Sequence, residues 1–171
     1  MAIIKKILSL LFLFVLFIGV VACNKDVAKE DVAKEADIEK FVKDYSTERY
    51  NVKDPSNPPS SDEIANKVKE YLSKDEYDAQ IANRYYSIPS MVAKEVNKSI
   101  EVQNLNLEEQ SKNDDSTIDY KYTLKFKLYD EESSKVYDKE GELTISTKDN
   151  ELKITRDWSR GVKIDGLDGG L

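Results

Sequence analysis

The 171-residue chain carries 33 acidic and 26 basic side chains, a formal net charge of −7, with no histidine and one cysteine. The acidic balance excludes a nucleic-acid binder, because phosphates demand clustered Lys and Arg. Most lysines alternate with acids, as on an ordinary solvated surface. Without histidine, the commonest general base, triad partner and metal ligand are missing. The tail "IDGLDGGL" has two Asp-Gly pairs but not the twelve-residue spacing of a calcium loop, so neither a metal nor another cofactor is expected.

Lys5 and Lys6 open the chain with positive charge, and 7–21 holds only Ser9 and Gly19 besides apolar side chains. A charged start and an apolar run are the pattern of a secretory signal. The run is shorter than the roughly 20 residues that span a bilayer, and a short stop-transfer anchor is the other reading. The tetrad Val20-Val21-Ala22-Cys23 resembles the lipobox of bacterial lipoproteins: an aliphatic residue, a permissive one, a small one, then cysteine. The resemblance implies that 1–22 is removed, that the Cys23 thiol carries a diacylglycerol, and that lipid tethers the chain to the extracytoplasmic face of the cell membrane. Two acyl chains anchor stably where one is marginal, at about 0.8 kcal/mol per buried methylene. Without the signal about 149 residues remain, a single-domain length. The net charge then moves to about −9, because Lys5 and Lys6 leave with no acid.

Residues 23–35 read as a charged tether in which DVAKE occurs twice, at 26–30 and 31–35. The same composition favours helix, so the stretch also reads as an extension of the helix that follows. There Ile38, Phe41, Val42 and Tyr45 form an i, i+3, i+4, i+7 stripe. Pro55, Pro58 and Pro59 end it. Ser60 and Glu63 have capping-box spacing for a second helix with the stripe Ile64, Val68, Tyr71 and Leu72. Ser73 and Glu76 repeat the pattern for a third, carrying Tyr77, Ile81, Arg84 and Tyr85. Pro89 is expected to close it, with one further helical turn at 91–96.

From Ile100 the period becomes two. Ile100 and Val102 share a parity that Leu105 and Leu107 then switch, which predicts a bulge near Gln103 or Asn104. In "TIDYKYTLKFKLYD" the residues Ile118, Tyr120, Tyr122, Leu124, Phe126 and Leu128 fill one face of a strand. A loop at 131–134 pairs Tyr122 with Leu143 and sets Gly141 opposite Leu124. Asp149-Asn150 is a two-residue turn pairing Ile145 with Ile154. Simple alternation through the last strand then puts Arg156 and Trp158 on the inner face and Asp157 on the outer.

Three N-terminal helices packed on a curved four-stranded antiparallel sheet make an α+β fold. The order of elements over 36–162 resembles the NTF2-like cone fold, and 163–171 reads as a flexible tail. A cystatin-like arrangement is the alternative, its single helix fitting three helical segments less well. NTF2-like domains serve isomerases, dehydratases, secretion and conjugation scaffolds and plain binding modules, so the fold does not choose the function. The candidate binding residues are Tyr85, Tyr86, Tyr120, Tyr122, Arg156 and Trp158, because arginine among aromatics suits an anionic or planar ligand. The competing reading is a core arginine paired with a carboxylate from a helix. With Asp119 and Asp157 both at outward parity, no inward base is marked. The expectation is therefore a non-catalytic module for an envelope protein or peptide partner, of the kind used in secretion or conjugation assemblies. A small-ligand or isomerase-like enzyme is the second reading.

Overall fold

The computed structural model describes the backbone of residues 25–171 except Asp168, and side chains from Glu35 onward. The signal, the lipobox and Cys23 lie outside the described residues. Two compact units divide the chain, Met1–Asp37 and Ile38–Leu171. No helix among the described residues is long and apolar enough to cross a membrane.

Four helices precede the sheet: α1 (Lys25–Tyr50), α2 (Ser61–Val68), α3 (Lys74–Ala82) and α4 (Ile88–Val96). The helix α1 takes in the DVAKE repeat. Its stripe buries Ile38, Val42 and Tyr45 and continues at i+4 to Arg49, which is also buried. The capping box of α2 forms as spaced: Ser60 Oγ accepts from the Glu63 N–H at 3.2 Å, and Glu63 accepts from the Ser60 N–H at 2.7 Å.

The expected third helix ends early, at Ala82, and the further turn expected at 91–96 lies within α4. In α3 Gln80 is fully buried and Ile81 is exposed, because Gln80 finds hydrogen-bond partners inside. Arg84, expected on the buried stripe, is exposed and breaks the chain in a left-handed conformation (φ 60°). Pro89 does not close a helix; it stands in the first turn of α4, where its missing N–H costs no hydrogen bond.

The sheet is an antiparallel meander β1 (Ser99–Lys112), β2 (Thr117–Tyr129), β3 (Ser134–Ser146) and β4 (Lys153–Ser159), in sequence order. The expected bulge is present between Val102 and Asn104. It restores one apolar face, pairing Ile100 with Leu128, Val102 with Phe126 and Leu105 with Leu124. The β2–β3 register lies two residues from the expected one: Tyr120 pairs with Leu143 and Tyr122 with Gly141. Asp130 causes the shift, since its carboxylate accepts from the N–H groups of Glu132 and Ser133 at 2.9 and 2.7 Å and so belongs to the turn. Gly141 thus lies under Tyr122 rather than beside Leu124, and a Cβ there would stand 2.5 Å from the ring. At the second hairpin Ile145 pairs with Ile154 as expected, and Asp149 and Asn150 both have positive φ (57° and 60°), the requirement of a type I′ turn.

The helical half grips both edges of the sheet. Val52 bridges Ile100 on β1, and Leu72 bridges Ile154 on β4. The segment 163–171, expected as a flexible tail, is folded back. Val162 and Leu171 exchange backbone hydrogen bonds of 2.8 and 3.0 Å, and Ile164, Leu167 and Leu171 are buried.

Candidate functional site

The decisive feature is a second bulge, in β4. Ile145 pairs with Ile154 but Thr144 pairs with Arg156, leaving Thr155 unpaired. One extra residue flips the parity of all that follows. Asp157 therefore enters the core, with its side chain 2% exposed. Arg156 and Trp158 turn outward, Arg156 with 56% of its side chain exposed and 3.2 Å from Glu142, Trp158 at 45%. The inward arginine read from simple alternation is thus corrected, and so is the outward Asp157. The cation that pairs with Asp157 is the buried Arg49, one helical turn beyond Tyr45 on α1.

Around this pair most inner polar groups are hydrogen-bonded to one another; Arg49 Nε is buried without a partner. Asp157 accepts from Arg49 Nη1, from Tyr45 Oη at 2.8 Å and from Tyr122 Oη at 3.2 Å. Tyr45 Oη accepts from Arg49 at 2.7 Å and from Gln80 Nε2 at 3.3 Å. Glu76 Oε1 accepts from Gln80 at 2.7 Å and from the Asp157 N–H at 3.2 Å. Burial drives the phenols of Tyr45 and Tyr122 well above their ordinary range, so they remain neutral donors. Burial opposes the Arg49 charge, but Tyr45, Tyr50 and Asp157 outweigh it and hold the guanidinium protonated. Asp157 carries the only buried carboxylate side chain among the described residues. Three of its roughly four lone-pair sites are taken, one of them by the Arg49 guanidinium.

Beside Arg49 a cavity of about 170 Å³ opens between the end of α1, the turn at Tyr85–Ser87 and the strands β3 and β4. Tyr50 and Tyr85 lay their rings 5.0 and 5.7 Å from the guanidinium. Lys139, at inward parity on β3, also lines it. Its ammonium donates to the main-chain oxygens of Arg160 at 3.0 Å and Leu171 at 2.8 Å.

Of the candidates read from the sequence, Tyr85 and Tyr122 meet at this cluster. Tyr120 is buried on the same sheet face. Tyr86 packs against Tyr77 at 6.2 Å with its hydroxyl buried and unpartnered. Arg156 and Trp158 lie across the sheet, on the outer face. There Trp158, Arg160, Lys121, Thr123 and Glu142 edge a groove of about 320 Å³. Sequence reasoning missed Arg49, Lys139 and Asp157. The first two carried a signal: Arg49 falls four residues after Tyr45, and Lys139 shares the parity of Leu143 and Ile145.

No protein-family model and no curated protein matches the sequence. Solved structures do. An IcmL-like type IV secretion system protein from Legionella pneumophila aligns with a TM-score of 0.56 at 9% identity, covering 77% of this chain and 96% of that one. CagV, a VirB8 homolog of the type IV secretion system of Helicobacter pylori, aligns with a TM-score of 0.54 at 10% identity over 75% and 99%. An Ntf2-like protein involved in plasmid conjugation aligns at 0.46 and 8% identity over 78% and 51%, too loosely to carry an argument. At such identities the first two establish a shared fold.

Proposed function

We propose that the protein is a lipid-anchored, extracytoplasmic binding module, without catalytic activity, that docks a protein or peptide partner in a secretion- or conjugation-type envelope assembly. The observation that carries this reading is the outward Trp158. A large aromatic beside Arg156 and Arg160 on the open face of a sheet has the composition of a binding hot spot. The inner face supports the non-catalytic part, since its carboxylate is already neutralised and hydrogen-bonded. The fold shared with two type IV secretion components supports the kind of assembly, and the lipobox-like tetrad ending at Cys23 supports the anchor.

Photocrosslinking from position 158 in intact cell envelopes tests it. The expected product is one discrete adduct with an envelope protein, lost when Arg156 and Arg160 are both changed to Glu. No adduct from position 158, with adducts instead from inner positions such as 85, would move the working site to the cavity.

A further inference from the structure

The helical half covers the two edges of the sheet unequally. On β4 the Ser73 N–H donates to the Ile154 oxygen at 2.9 Å, and Glu76 accepts from the Asp157 N–H at 3.2 Å. On β1 only one end is covered. Val52 and Ile100 exchange backbone bonds of 2.9 and 2.8 Å, and Asn51 Oδ1 accepts from the Val102 N–H at 2.7 Å. Beyond Val102, among the described residues, the β1 backbone has no bond outside the sheet ladder except from its own Gln110 side chain, at the Glu108 and Glu109 oxygens. Bulges after Val102 and Glu109 leave Asn104–Glu109 as one regular run with an unpaired edge. Face and edge alternate together along a strand. Ile100 and Val102 lie on the inner face and turn their N–H groups to the free edge, so Leu105 and Leu107, at inner parity after the bulge, present theirs there too.

Charge selects what this edge takes up. From Glu101 to Asp119 the chain holds six acids and one base, Lys112. Lys112 pairs with Glu109, and Glu101 with Lys127. Glu108 is exposed and has no ion pair among the described residues, and its cross-strand neighbour Lys121 is shared with Glu142. A second copy of the chain would set the same acids against these, and like charges opposed across two strands are unfavourable. We propose that the β1 edge over Asn104–Glu109 takes up an extended, basic segment of a partner protein as an added antiparallel strand, in line with Val52, which already pairs that way. Its apolar residues lie beside Leu105 and Leu107, and a lysine or arginine lies beside Glu108. Main-chain bonds supply the affinity and alternate side chains the specificity. The contact is separate from the docking face at Trp158, because β1 and β4 are opposite edges of the sheet.

Amide NMR of the purified protein with the end-blocked peptide Thr-Lys-Val-Lys-Val-Lys-Thr tests the edge. At saturation, amide exchange at Leu105 and Leu107 is expected to slow at least about tenfold, while the Trp158 indole signal stays in place. Two control peptides, one with Glu for every Lys and one N-methylated at both valines, should each bind at least about tenfold more weakly. The first removes the charge match and the second removes the main-chain donors that face β1. Glu108→Lys should reverse the preference between the Lys and Glu peptides. Leu107→Pro deletes an edge N–H that the ladder to β2 does not use, and should abolish the protection at Leu105. If that variant does not fold, the N-methylated peptide still decides. No saturable binding in the millimolar range, equal binding of the N-methylated peptide, shifts at Trp158 in place of β1, or self-association of the protein through Asn104–Glu109 in sedimentation would each overturn the proposal.

Discussion

Replacing Asp157 with Ala probes the centre of the molecule. The side chains of Arg49 and Asp157 are 6% and 2% exposed, so the arginine left behind stays out of water. Removing one partner of a buried ion pair costs about 3–5 kcal/mol, mostly because the other charge is uncompensated. Tyr122 also loses its acceptor, worth about 1 kcal/mol, whereas Tyr45 can turn its proton to Gln80 Oε1 at 3.3 Å. The sum is about 4–6 kcal/mol, a large part of the roughly 5–15 kcal/mol that holds a domain together. In urea unfolding with a slope of about 2 kcal/mol per M, the midpoint should fall by about 2–3 M. Arg156→Ala is the control. Its side chain is mostly in water and meets Glu142 at 3.2 Å, so it should cost at most about 1 kcal/mol. The double variant Arg49→Met with Asp157→Leu should recover most of the loss, because no orphan charge remains. The reasoning fails if Arg156→Ala costs more than Asp157→Ala, or if Asp157→Ala shifts the midpoint by less than about 0.5 M.

Three further outcomes are expected. Gly141→Ala should destabilise by about 1–3 kcal/mol and disturb the Tyr122 hydroxyl signal, because the new Cβ would meet the Tyr122 ring and the Trp158 carbonyl oxygen, each at 2.5 Å; a neutral substitution would refute the packing. Lys139 ordinarily titrates at 10.5 and here at about 8, so between those values the unfolded chain holds the proton that the folded chain has lost. Stability should therefore rise by up to about 3 kcal/mol as pH climbs from 8 to 10.5, at about 1.36 kcal/mol for each pH unit of pKa difference. The buried phenols act the other way: Tyr50, raised by burial to about 12, and Tyr45 and Tyr122 stay protonated in the fold while the unfolded chain ionises, so stability falls above about pH 10. Urea midpoints across pH 7–11 should show a maximum between these arms, and Lys139→Met should remove the rising one. Finally, Cys23→Ala should leave an uncut precursor without lipid in mass spectra of the membrane fraction; an unchanged lipid mass would refute the anchor.

Local signals were enough wherever a residue and its partner lie a few positions apart. The Ser60–Glu63 capping box, the six inward residues of β2, the bulge after Val102 and the positive-φ pair Asp149-Asn150 are all legible in the sequence, because each depends on one turn or one strand. The β2–β3 register was not, since Asp130 reads equally well as the last strand residue or the first turn residue until its carboxylate is seen capping Ser133. Nor was the inner face of β4. After Ile154 the string Thr-Arg-Asp-Trp permits either parity, and alternation alone chose the wrong one. What decides it is Arg49, 108 residues earlier. That arginine is buried by the stripe of α1 and must find a carboxylate, and a bulge at Thr155 delivers Asp157 while releasing Arg156 and Trp158 to the outside. A strand's alternation is a local property, but the balance of buried charge is a property of the whole core, and only the tertiary structure closes it.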